Sequence, residues 1–180
     1  NFSLDQAATS PALGPVSEGD VLGSDGTVRR RNVDLLAPLG FQPPTPDLGL
    51  DVFFQRAPGE FWFSVRRAAF SERLGVPIGR GDLLSSKGSV VRQASKLLGQ
   101  FHPPNARHDY GLDACHVWAS GEVWFSLEEG FQDAVLGNIS DGDILSDQGY
   151  IVGRNLDLVR RFQPLEDVAN FGLRGLQVIT

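Results

Sequence analysis

Six residues that recur at a common spacing are the side chains in this sequence best suited to hold a ligand. They form two sets of three, 61 or 62 residues apart: Asp47, Asp109 and Asn170, and Asp51, Asp113 and Arg174. Carboxylate and amide oxygens that converge can hold a calcium ion or a polar ligand. Arg174 breaks the pattern, because a guanidinium would pair with a neighbouring carboxylate instead. We predict a ligand site here, with a structural ion pair as the alternative.

A second acidic set, Asp20, Asp82 and Asp143, follows glycine each time at the same spacing. These carboxylates could ring a cation, but an aspartate after glycine also bonds to its own turn, and we favour that interpretation. The stretch from Gly19 to Leu36 resembles a dockerin or EF-hand calcium loop. Leu22 stands where the second calcium ligand belongs, so we expect no cofactor, with calcium as the ion to test.

The other reactive side chains predict no catalytic site. Cys115 is the only cysteine, so no disulfide can form within the chain, and we expect a buried thiol. The histidines, which we expect at the surface, are His102, His108 and His116. No nucleophile elbow, phosphate loop or His-Glu-x-x-His motif is present. Trp62 and Trp124 occupy matching positions, where they could stack on sugar rings or pack between sheets.

Composition narrows the partners. A formal charge of −6 and a pI near 5.0 argue against nucleic acid, which is bound by clustered Lys and Arg. No apolar run approaches the ~20 residues of a membrane span. The sequence has no methionine, and Asn1 and Asn138 stand in N-glycosylation triplets. An extracellular or periplasmic location is therefore an expectation.

The elements that position these residues follow from a threefold repeat. Phe2-Ser3 recurs as Phe63-Ser64 and Phe125-Ser126, and Gly-Asp, Gly-Leu and the Leu-Leu pair recur in register. The predicted copies span about residues 1–58, 59–120 and 121–180 of a single repeat domain. Apolar runs such as Val123-Trp124-Phe125 predict buried strands, and a glycine marks each hairpin bend. The Leu-Leu segments predict short helices with Asn32 and Asn155 as N-caps and Gly40 as a C-cap.

The strings GLDACHVWASGEVWFSLEEG and ISDGDILSDQG resemble β-propeller blades of secreted bacterial proteins. The resemblance implies a mainly β fold of three four-stranded antiparallel repeats, each with a short helix. A threefold β-trefoil or β-prism is the alternative. Because a propeller has about 4 to 8 blades, we predict a homodimer that closes a six-bladed ring, with residues 172–180 and 1–5 completing one sheet.

These patterns favour a secreted, non-enzymatic binding or structural module that assembles with itself and takes a glycan or protein ligand. If the first strand of each blade lines a central channel, the six ligand residues gather at its mouth. Propeller hydrolases and lactonases hold a metal at such a mouth, so an enzyme of that type is the alternative function.

Overall fold

The computed structural model describes residues 2–4, 6–163, 165, 172–173 and 175–176. The chain forms two compact units, Asn1–Val91 and Arg92–Thr180. Both are mainly β and are built from small antiparallel sheets, as the sequence predicts. None of the described helices is both long and apolar enough to cross a membrane.

The first unit contains three hairpins and one larger sheet. Its strands are β1 (Ala8–Ser10), β2 (Gly14–Val16), β3 (Val21–Leu22), β4 (Val28–Arg30), β5 (Phe53–Ala57), β6 (Glu60–Phe63), β7 (Ala69–Ser71), β8 (Val76–Ile78), β9 (Leu83–Ser85) and β10 (Ser89–Arg92). The four-stranded sheet has the order β10-β9-β6-β5, and β1–β2, β3–β4 and β7–β8 pair separately. Helix α1 (Asn32–Leu36) continues into a 3₁₀ turn, Ala37–Leu39.

The second unit contains one four-stranded sheet and one hairpin. It begins with helix α2 (Ala94–Leu97) and ends with α3 (Asn155–Val159) and a 3₁₀ turn, Arg160–Phe162. Its strands are β11 (Ala114–Val117), β12 (Val123–Ser126), β13 (Phe131–Asp133), β14 (Gly137–Ile139), β15 (Ile144–Ser146) and β16 (Tyr150–Gly153). The sheet order is β11-β12-β15-β16, with β13–β14 apart from it.

Alternation along the strands decides which face of each sheet is buried. In the second unit Cys115 pairs with Phe125 and Phe125 with Leu145, and all three are buried. The next residues, including Trp124, point to the opposite face, where Trp124 is half-buried. The prediction that the Val123–Phe125 strand is buried on both faces is therefore wrong at its middle residue.

The core of the first unit packs the helix against the sheet that follows it in the chain. Leu36 and Leu39 are fully buried in one cluster with Phe63, Ile78 and Leu84. Each buried side chain of this size contributes about 1.5–3 kcal/mol. Residues before the sheet thus complete the core of the sheet itself.

The backbone fixes this packing at a point that we call the joint, where the 3₁₀ turn leaves the helix and meets the next hairpin. Gly40 adopts the left-handed conformation at φ 71°, which confirms it as a C-cap, and its carbonyl accepts the amide of Glu72 at 3.0 Å. Ser71 Oγ donates to the carbonyl of Leu39 at 2.5 Å, and Phe41 forms a bridge with Ser71.

A second joint with the same pattern lies 62 residues further on, in the second unit. The carbonyl of His102 accepts the amide of Ala134 at 3.3 Å, and its amide donates to Asp133 Oδ2 at 2.6 Å. Above it Phe101 is buried against Phe125, with ring centroids 6.4 Å apart. A helix exit therefore bonds to the following hairpin in both units.

Two local predictions need correction and one is confirmed. Asn32 and Asn155 are the first residues of their helices rather than the N-caps, because Arg31 and Arg154 occupy the cap positions without a side-chain capping bond. The β7–β8 and β13–β14 hairpins were not predicted. The hairpin glycines, among them Gly149 at φ 91°, have positive φ as predicted. Most of the predicted closing strand, residues 172–180, together with Asn1 and Asp5, lies outside the described residues.

Candidate functional site

The carboxylate of Asp20 ties the start of α1 to the turn before it. Its Oδ1 accepts the Asn32 amide at 2.8 Å, and its Oδ2 accepts the Ser17 amide at 3.1 Å and the Arg31 guanidinium at 2.7 Å. Burial alone would raise the pKa of Asp20, but the hydrogen bonds from Asn32, Ser17 and Arg31 outweigh it and the pKa is lowered. The ionised form is therefore the one that the fold holds.

Asp143 repeats this arrangement in the second unit. Its oxygens accept the Asn155 amide at 2.7 Å, the Ser140 amide at 3.2 Å and the Arg154 guanidinium at 2.9 Å. Asp82 accepts the amide of Gly79, also three residues before it, at 2.9 Å. The turn interpretation of these aspartates is confirmed. N–H donors, which repel a cation, surround the first two carboxylates.

The glycine before each of these aspartates is required by a neighbouring asparagine. A Cβ at Gly19 or Gly142 would collide with the side chain of Asn32 or Asn155 respectively. Asn32 is buried, and its Nδ2 donates to the carbonyls of Gly19 and Gly49, both at 3.3 Å. The Gly-Asp pair and the asparagine therefore form one structural device that holds the helix start.

The predicted ligand residues of the first unit lie among arginines. Asp51 forms an ion pair with Arg66 at 3.3 Å. Asp47 Oδ1 accepts the amide of Gly49 at 2.9 Å, and its backbone carbonyl accepts Arg67 at 2.7 Å. The structural alternative, an ion pair, is thus present here, although it involves Arg66 rather than Arg174.

In the second unit Asp109 Oδ1 accepts the amide of Gly111 at 3.2 Å, the same turn that Asp47 makes. The Asp113 amide donates to the carbonyl of Ser126 at 3.1 Å. Asn170 and Arg174 lie outside the described residues. Within the part of the chain that the structure describes, no three His, Cys, Asp or Glu side chains converge to hold a metal ion. The six-residue ligand site stays a prediction.

The remaining candidate residues have local partners. Burial raises the pKa of the Cys115 thiol to about 12, which confirms the expected buried thiol. His102 and His108 are exposed, and His108 Nε2 lies 2.8 Å from Glu129 Oε2, whereas His116 is half-buried. Asp25, part of the calcium-like stretch, bonds to Thr27 Oγ1 and pairs with Arg29.

Sequence reasoning missed two glutamates that fix the matched tryptophans. In the second unit Glu122 Oε1 accepts Trp124 Nε1 at 2.8 Å, Ser146 Oγ at 2.6 Å and Tyr150 Oη at 2.5 Å. These bonds, that from Ser146 first, lower the pKa of Glu122. The signal was the recurring string Gly-Glu-x-Trp-Phe-Ser, of which only the tryptophan was used.

The first unit contains the same group. Glu60 Oε1 accepts Trp62 Nε1 at 2.8 Å and Ser85 Oγ at 2.7 Å, and the bond from Ser85, followed by that from Trp62, lowers the pKa of Glu60. The Arg56 guanidinium lies 5.4 Å from the centre of the Trp62 ring. We call these two groups the Glu–Trp–Ser triads. Each anchors one indole by its edge.

Beside the second triad the aromatic rings form a row. The His116 and Trp118 ring centroids are 4.8 Å apart, as are those of Trp118 and Trp124, and both contacts are edge-to-face. Trp118 Nε1 is buried and has no hydrogen-bond partner among the described residues. An indole N–H in that state is uncommon, since buried donors are nearly always paired.

Comparison of the chain with protein-family models, with curated proteins and with solved structures finds no match.

Proposed function

We propose that the chain is a non-enzymatic module that works by binding and by assembling with its own kind, and that it is built from three copies of one helix-and-sheet unit. The observation that carries this proposal is the joint. In each of its two occurrences a helix supplies its apolar side chains, and its carbonyl, to the sheet and hairpin that follow. Each copy thus offers a helix on one side and accepts a helix on the other.

The pairings within the sheets support the threefold repeat. Phe63 pairs with Leu84, and Phe125 pairs with Leu145, 62 and 61 residues further along respectively. The isolated bridge between Phe2 and Leu22 stands at the corresponding place of the first copy. The sheet orders β5-β6-β9-β10 and β11-β12-β15-β16 follow the chain, as in a propeller blade. We therefore keep the blade as the proposed architecture, with six blades in a closed ring.

The charged side chains support a structural role over a catalytic one. Asp20 and Asp143 hold helix starts, Asp51 pairs with Arg66, and Asp47 closes a turn. Scaffolding that serves every copy is expected to recur, whereas a catalytic site needs groups that differ in role.

The joint can be tested through the side chain at its centre. Leu39→Ala removes a fully buried side chain that the helix exit adds to the next sheet, and we expect a loss of about 2–5 kcal/mol in the free energy of unfolding. Val33→Ala, on the exposed side of the same helix, is the control and should stay within about 0.5 kcal/mol. Equal losses in the two variants would refute the joint as the element that connects copies.

A specific observation also favours a ligand on the second unit, as a second candidate function. The row of His116, Trp118 and Trp124 offers ring surfaces, and Trp118 Nε1 is a buried donor to which no described residue supplies an acceptor. Flat rings with polar edges, such as those of glycans, match such a surface.

A glycan array with the intact chain, read beside tryptophan fluorescence, tests this second candidate. A bound glycan should shift the emission, and Trp118→Phe should weaken its binding because the indole donor is lost. Trp62→Phe, in the other unit, is the matched control. An empty array would leave assembly as the function. A location outside the cell belongs to the proposal, and an oxidising compartment suits a chain whose one thiol is buried.

A further inference from the structure

The third helix has the apolar face of the first helix, but that face is exposed. Leu158 and Phe162 correspond by spacing to Leu35 and Leu39, which are buried. Leu158 is 41% exposed and Phe162 is 84% exposed. Leu165, beyond the 3₁₀ turn, is fully exposed. We call this surface the outgoing face.

The first copy has the complementary defect, because no helix covers its sheet residues. Phe63 and Phe125 are fully buried, whereas Phe2, at the corresponding position, is 50% exposed. The backbone there is already in place: the Phe2 amide donates to the Leu22 carbonyl at 3.0 Å, and the Leu22 amide donates back at 2.8 Å. We call Phe2 and the neighbouring β1–β2 hairpin the receiving face.

The backbone of the outgoing face has the conformation that a joint requires. Gln163 follows the 3₁₀ turn with φ 49° and ψ 53°, and Gly40 follows its own with φ 71° and ψ 55°. In the first unit this conformation aims the Gly40 carbonyl at the amides of Glu72 and Arg73. Positive φ is uncommon for a residue other than glycine, so its occurrence at Gln163 marks a constrained position.

The receiving hairpin is likewise organised as in the existing joints. Ser10 Oγ accepts the amides of Ala12 and Leu13, as Asp133 Oδ1 accepts those of Val135 and Leu136. Its hydroxyl proton is thereby left to donate outward, the bond that Ser71 makes to the carbonyl of Leu39.

We propose that the outgoing face of one molecule docks on the receiving face of a second copy of this chain, with Phe162 packed beside Phe2 and Ser10 Oγ bonded to the Phe162 carbonyl. The inference rests on the proposed function, since it extends the joint from within a molecule to between molecules. The partner is a second copy because the two faces reproduce the two sides of the joint in the first unit. Two such contacts cover both faces of both molecules and close a symmetric pair.

One residue makes the contact between molecules weaker than the joint within a unit. Pro11 stands where Glu72 and Ala134 donate their amides to the joint carbonyl, and proline has no N–H. The contact therefore lacks one hydrogen bond of the pattern. We expect association that is reversible on dilution.

Two charged substitutions and their mixture test the contact by light scattering after size exclusion. Phe162→Asp removes the outgoing face and Phe2→Asp the receiving face, and each should weaken pairing about 100-fold or more, since buried aromatics dominate such interfaces. Both residues are exposed in the single chain, so both variants should fold, which circular dichroism checks. Phe70→Asp, at a side chain that is 52% exposed on β7, is the matched control and should leave pairing unchanged.

The mixture decides the orientation of the contact. Each variant alone retains one face, so equal amounts of the two should form heterodimers through one intact contact. Recovery of dimers in the mixture supports the proposal. Pairing that persists in Phe162→Asp, or no recovery in the mixture, overturns it. The Leu39→Ala result is independent of both outcomes, so failure here would leave the joint within the first unit intact.

Discussion

Replacing Asp20 by alanine removes the acceptor around which the start of α1 is built. Three donors lose their partner: the amides of Asn32 and Ser17, and the guanidinium of Arg31. Asn32 is fully buried, so its amide cannot turn to water, and an unmet buried donor costs about 1–3 kcal/mol. Ser17 and Arg31 are partly exposed and add less. The expected loss in the free energy of unfolding is about 2–4 kcal/mol.

Asp25→Ala is the matched control, because it also removes a carboxylate bonded to an amide and to an arginine. Its residues are exposed, and its ion pair with Arg29 spans only four residues, so we expect a change within about 0.5 kcal/mol. Urea denaturation followed by circular dichroism gives the total change. Hydrogen exchange at the Asn32 amide gives the local one, which should rise about 30-fold to 1000-fold in Asp20→Ala.

Two results would refute this account of Asp20. The first is a stability of Asp20→Ala equal to that of the Asp25→Ala control. The second is a rise in the melting temperature of the wild type on addition of calcium that the variant lacks, since that would make Asp20 a cation ligand.

Three further predictions follow from the pKa shifts and the triads. The lowered pKa values of Asp20 and Asp133 give stability that is complete above the ordinary value of 3.8 and is lost as the pH falls through the folded values. Thermal melts from about pH 5 to 2 should therefore show a decline that Asp133→Asn reduces, and an unchanged slope would contradict the shift. Cys115, with its pKa of about 12, should react with a thiol reagent at neutral pH only in denaturant, and rapid labelling of the folded chain would show the burial to be wrong. Glu122→Gln should shift the emission of Trp124 because the charged acceptor of its indole is lost, and an identical spectrum would count against the triad.

The sequence was sufficient for the strands and their bends, because each has a strong local signal. The apolar residues of β11, β12, β15 and β16 alternate or cluster, and glycines such as Gly149 stand at the bends. The β13–β14 hairpin was missed because its three-residue strands, Phe131–Asp133 and Gly137–Ile139, are too short and too polar to show a period.

The site residues were harder to predict because their partners lie far along the chain. Asn32 looked like a helix cap, but its side chain bonds to Gly49, seventeen residues later, and its amide to Asp20. Asp51 was matched with Arg174 by the repeat, yet it pairs with Arg66. Spacing shows which residues are equivalent, whereas it does not show which residues face each other across a turn.

The mass of the intact chain at sedimentation equilibrium, measured over a series of concentrations, tests the central claim most directly. Joints that continue between molecules predict a species of twice the chain mass of 19.5 kDa that dissociates on dilution. A mass of 19.5 kDa at every concentration would contradict the claim.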